Sequence, residues 1–122
     1  MHIELVEAYD QIDIVKVLFQ EYAASLGVDL GYQNYDDEYS DLPGKYARSD
    51  GRLYLACADG APAGCAALRR LDAERAEMKR LYVRDAFRGM ELGRRLSECV
   101  IADARDIGYR ALVLDTLSSM RR

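Results

Sequence analysis

The residues best suited to chemistry lie in one stretch, EMKRLYVRDAFRGMELG, from Glu77 to Gly93. Its first half reads as a strand, and its second half is a glycine-bearing turn, Arg88-Gly89-Met90-Glu91-Leu92-Gly93, that opens a helix. Such a turn aims backbone N–H groups and the positive end of a helix at one spot, which is how proteins hold phosphate. Gly89 allows the tight backbone and the close approach that a ligand needs. Arg88 and Arg94 add charge-assisted bonds to phosphate oxygens. Glu77, one strand-length upstream, is an acid/base candidate. The turn is not a Walker A loop, because no Gly-Lys-Ser/Thr follows, and it lacks the Gly-x-Gly-x-x-Gly of a dinucleotide fingerprint. Read alone, it is either a phosphate cradle or a plain strand–helix connection. Glu77 is either a base or a strand-start carboxylate paired with Lys79 or Arg75.

The elements around this stretch must position it. The chain of 122 residues is 50% hydrophobic and 31% charged, the composition of one globular domain spanning residues 1–122. No apolar run approaches the ~20 residues that span a bilayer, and the N-terminus has no secretory pattern. Cys57, Cys65 and Cys99 are odd in number and lack C-x-x-C spacing, so a disulfide framework and a zinc site are both unexpected. Buried free thiols in a reducing cytoplasm are the plain reading, and no metal is expected. Residues 1–60 hold four basic and twelve acidic side chains, whereas residues 79–95 hold six basic and two acidic ones. The net charge of −4 argues against a general nucleic-acid binder. The local basic cluster suits a small polyanion, or is a solvated basic face.

Periodicity supplies the element order. Residues 2–7 alternate as a strand. Asp10 is placed to cap a helix whose apolar stripe is Ile12, Val15, Leu18, Phe19, Tyr22 and Leu26. A short helix near 34–41 follows, within an irregular segment rich in tyrosine and aspartate. Strands are expected at 52–58 and 63–71, joined by the turn Asp59-Gly60, and at 74–83. A helix over 91–107 buries Leu92, Leu96, Cys99, Val100, Ala104 and Ile107, and Gly108 stops it. Tyr109–Asp115 is a last apolar strand. The fold class is α/β, a mixed sheet with helices on its faces.

With this order in place, Val83-Arg84, Phe87-Arg88-Gly89, Leu92-Gly93 and the helix start Arg94-Arg95-Leu96 resemble motif A of the GNAT superfamily of N-acetyltransferases. LVLDT at 112–116 resembles that superfamily's fifth strand. The resemblance covers the whole chain and is specific over residues 77–116. It implies acetyl-coenzyme A as cosubstrate and acetyl transfer to a primary amine. It makes Glu77 the base and Leu81, Tyr82 and Val83 backbone donors to the acetyl and pantetheine groups. Arg88, Gly89, Met90, Glu91, Leu92, Gly93 and Arg94 become the pyrophosphate cradle. By strand alternation Glu77 shares a face with Lys79, Leu81 and Val83. The acidic, tyrosine-bearing segment from Tyr32 to Tyr46 either binds a cationic acceptor or is a solvated loop.

Two departures from the family pattern stand out. Glu91 replaces the middle glycine of Gln/Arg-x-x-Gly-x-Gly/Ala, putting a carboxylate beside the pyrophosphate or out in solvent. Similar proteins also continue past the fifth strand with a helix, which carries a tyrosine acid, and two more strands. Seven residues follow Asp115 here. The resemblance therefore implies a GNAT-like fold truncated after its fifth strand, with an open apolar edge that favours a dimer or larger assembly. The alternatives are an inactive coenzyme-binding protein or assembly subunit, and a partner chain that supplies the missing strands.

Overall fold

A computed structural model describes residues 2–26 and 42–114 of the chain. The expected short helix near 34–41 lies outside them. Five strands form one sheet in chain order: β1 (Ile3–Glu7), β2 (Arg52–Ala58), β3 (Ala61–Arg70), β4 (Arg75–Val83) and β5 (Ala111–Leu114). The first four run antiparallel to their neighbours, and β5 runs parallel to β4. Helix α1 (Ile12–Leu26) connects toward β2, and α2 (Leu92–Ile107) is the crossover from β4 to β5. The mixed sheet and two helices agree with the expected class.

Each helix closes one face of the sheet. Val15, Leu18, Phe19 and Tyr22 of α1 pack with Leu53, Leu55, Cys65 and Ala67. Leu96, Val100 and Ala104 of α2 pack with Tyr54, Ala56, Ala66, Leu68, Ala76 and Met78. Strand β2 is therefore apolar on both faces, and nearly all of it is buried. The strand and helix ends differ slightly from expectation. The α1 ladder starts at the Gln11 carbonyl, which accepts from Val15 at 3.1 Å, one residue later than an Asp10 cap implies. Strand β3 begins at Ala61, because Asp59 and Gly60 both take positive φ and make a two-residue hairpin turn.

Glycine is required at position 64. A Cβ there would lie 2.5 Å from the Tyr82 carbonyl oxygen on the adjacent strand. Gly64→Ala is expected to destabilise the fold by about 1–3 kcal/mol, read from urea unfolding. An unchanged denaturation midpoint would mean that β3 and β4 are not this close.

Strand β4 carries the irregularity that matters most. Cys65 faces Tyr82 and Ala67 faces Lys79, so Arg80 and Leu81 together oppose Ala66. Arg80 has φ 59°, and the Cys65 thiol donates to its carbonyl at 3.4 Å. This is a β-bulge, and the extra residue reverses the side-chain alternation beyond it. Glu77 and Lys79 sit opposite Arg69 and Ala67, on the α1 face, and Tyr82 packs into that same core. Leu81 and Val83 pack on the α2 side. The expectation that Glu77 shares a face with Leu81 and Val83 is therefore wrong. Simple alternation fails once two residues stand opposite one.

Strand β5 pairs only with Arg75–Met78, the half of β4 before the bulge. Among the described residues, β5 does not extend alongside Leu81, Tyr82 and Val83. Among the described residues β5 is the sheet edge, with Val113 38% and Leu114 52% exposed.

Candidate functional site

The site begins where β4 ends. Arg84 runs on from the strand, its N–H donating to the Ala63 carbonyl at 2.8 Å. Its guanidinium grips Glu21 of α1 with two bonds, at 2.9 and 2.8 Å. The Tyr82 hydroxyl donates to the same carboxylate at 3.1 Å. Arg84, then burial, then Tyr82 act on the Glu21 carboxyl, and the net effect lowers its pKa. Burial first, and then this carboxylate, raise the Tyr82 phenol. The network ties α1 to the last residues of β4 and so fixes the strand end. Glu21 was not singled out in the sequence, because nothing in the α1 pattern points across the sheet.

A short 3-10 turn, Asp85–Phe87, leads into the glycine-bearing turn. Gly89 has φ 89°, and a Cβ there would point into open space. Arg88 is exposed. Its Nε donates to the Val83 carbonyl at 3.1 Å, and it pairs with Asp85 at 3.2 Å. Met90 is half-buried with Phe87 and Val83 against Leu92, which is fully buried and anchors the turn. The α2 ladder opens with the Arg95 N–H donating to the Glu91 carbonyl at 3.0 Å. The N–H groups of Leu92, Gly93 and Arg94 precede that bond and carry the positive end of the helix dipole.

Glu91 departs from what such a turn calls for. It has φ 61°, the left-handed region that favours glycine, and it caps no backbone group with its side chain. Its carboxylate is ion-paired with Arg94, which also reaches Glu98 at 3.2 Å. The Arg94 hydrogen bond and charge lower the Glu91 pKa, and Glu91 in turn raises that of Arg94. Both cations expected to meet phosphate, Arg88 with Asp85 and Arg94 with Glu91 and Glu98, are thus already paired with carboxylates.

Glu77 stands apart from this turn, on the α1 face of β4 before the bulge. Its Oε1 accepts from Arg69 Nε at 2.9 Å, and its side chain is 15% exposed. Arg75 pairs instead with Asp72. The structure thus brings Arg88–Arg94 together at the end of β4 and keeps Glu77 on the strand that leads there. Tyr46 is described and is a core residue against Phe19, while Tyr32, Tyr35 and Tyr39 fall outside the described residues. All three cysteines are free. Among the described residues no group of three His, Cys, Asp or Glu could hold a metal, and no helix is long and apolar enough to cross a membrane. A groove of about 370 Å³ lies between α2 and β5, at the end of α2 away from the cradle.

The family model described as the Acetyltransferase (GNAT) family matches residues 15–122. The chain belongs to the GNAT acetyltransferase family. A Schizosaccharomyces pombe N-acetyltransferase is 38% identical over 97% of this chain and 74% of its own length. A Dictyostelium discoideum N-acetyltransferase is 32% identical over 98% of this chain and 84% of its own. In fold, the chain is similar to a GNAT-family acetyltransferase from Staphylococcus aureus Mu50, with TM-score 0.82 at 18% identity, over 98% of this chain and 77% of that one. It is also similar to a Clostridium acetobutylicum acetyltransferase solved with acetyl-CoA, with TM-score 0.78 at 12% identity, over 98% and 83% of the two chains.

For a GNAT protein the group to accommodate is a coenzyme with a pyrophosphate and an amide-bearing arm. The open space at Gly89 and the free N–H groups at the start of α2 fit the pyrophosphate. Among the described residues, the flank of β4 at 81–83 that β5 does not cover fits the arm, since an extended chain can add to a strand edge. The Glu91 carboxylate, and the Asp85 carboxylate paired with Arg88, oppose the fit.

Proposed function

We propose that this GNAT chain transfers an acetyl group from acetyl-coenzyme A to a primary amine. The observation that carries the reading is the open flank of β4 beyond the bulge, continuous with the glycine turn and the N-terminus of α2. Arg88 to Arg94 would hold the pyrophosphate, and the Leu81–Val83 backbone the arm and the acetyl carbonyl. The bound thioester supplies the activated acetyl group. Glu77 takes a proton from the ammonium acceptor, so that nitrogen can form the C–N bond as the C–S bond breaks. A backbone N–H at the strand end stabilises the oxyanion. The leaving thiolate ends as the thiol, taking up a proton.

The test is release of free thiol from acetyl-coenzyme A with a panel of small amines, amino acids and peptides. Thiol release that requires both protein and amine is the expected result. Coenzyme binding by calorimetry without thiol release on any amine would sink the transferase reading. It would leave the second one, a coenzyme-binding protein without turnover.

A further inference from the structure

We propose that Arg69 is a positioning residue for the acetyl-transfer reaction, acting through Glu77. This inference rests on the reading of Glu77 as the base. A glutamate side chain has three rotatable bonds, and a base must be held in its productive orientation to contribute fully. The sheet supplies the restraint. Arg69 on β3 lies directly opposite Glu77 on β4, and its Nε donates to Oε1 at 2.9 Å. Arg75, the β4 cation two residues before Glu77, is turned to Asp72 instead.

The geometry divides the carboxylate. Oε1 is held by Arg69, and Oε2 is left to receive the acceptor proton, directly or through water. Arg69 also holds the pair on the α1 face, before the bulge, while the coenzyme-facing residues lie beyond it. The Arg69 side chain is 31% exposed, so shortening or neutralising it leaves the core intact.

The experiment uses the full chain and the amine found to support thiol release. Arg69→Met is expected to lower kcat roughly ten- to a hundredfold with coenzyme affinity unchanged. Arg69→Lys should recover part of that loss. In a Glu77→Gln background, Arg69→Met should cost nothing further. In the free protein, NMR should show an exchange-protected Arg69 Nε–H resonance that is lost in Glu77→Gln. A slow Glu77→Gln with a wild-type Arg69→Met overturns the role of Arg69 and leaves the base intact. A wild-type Glu77→Gln overturns the base and Arg69 together. Multiplicative losses in the double variant would mean that Arg69 acts elsewhere.

Discussion

Replacing Glu77 with glutamine is expected to lower kcat by about a hundredfold or more and to leave coenzyme affinity unchanged. Glutamine keeps the shape of the side chain and removes its capacity to take a proton. The side chain stands on the α1 face before the bulge, whereas the cradle and the open flank of β4 lie past it. A change at Glu77 therefore touches no group that would hold the coenzyme. Steady-state kinetics with the best amine, paired with calorimetry for coenzyme A, separates the two effects. Loss of binding in parallel with loss of rate would place Glu77 in the coenzyme site instead. Wild-type turnover would remove it from the chemistry.

The second large effect belongs to Glu91. Glu91→Gly is expected to raise the melting temperature by a few degrees and to tighten coenzyme binding roughly five- to tenfold. Two causes act together. A left-handed φ of 61° strains any residue with a Cβ and costs glycine little. Removing the carboxylate also releases Arg94 from one of its two acidic partners and takes a like charge away from the pyrophosphate. The first effect appears without ligand and the second only with it, so thermal unfolding and calorimetry report them separately. The binding gain should shrink at high salt, because the groups are exposed. Equal coenzyme affinity in both forms would show that the carboxylate points away from the ligand.

Much of this arrangement was legible beforehand because its signals are local. The paired positive φ at Asp59-Gly60 and the stop at Gly108 are written in residue type. So is the stripe of α2, where Leu92, Leu96, Val100 and Ala104 are all buried. The glycine turn was equally readable, since its chemistry depends on consecutive residues. What escaped depends on distant pairing. Arg69 meets Glu77 because the β3–β4 connection centres on Ala73, so residues equally far on either side face each other. That symmetry is present in the sequence, but nothing in Asp72-Ala73-Glu74 marks Ala73 as its centre. The bulge had no local mark at all, because arginine is a poor signal for a left-handed residue. Glu21 joins Arg84 and Tyr82 across more than sixty positions, and no periodicity in α1 announces it.

The extra residue in β4 acts as a parity change within a single strand. Upstream of it, odd-numbered side chains look toward α1; downstream, even-numbered ones do. One length of chain can thereby address two reactants arriving from opposite sides. The count of residues from Glu77 to Val83 is then itself a functional quantity. Removing one residue from positions 79–81 would abolish the bulge, leaving Tyr82 opposite Cys65 on the α1 side and shortening the path from Glu77 to the cradle by one residue. When relatives are aligned, a one-residue gap inside that short interval marks the loss of the bulge rather than a harmless change of length.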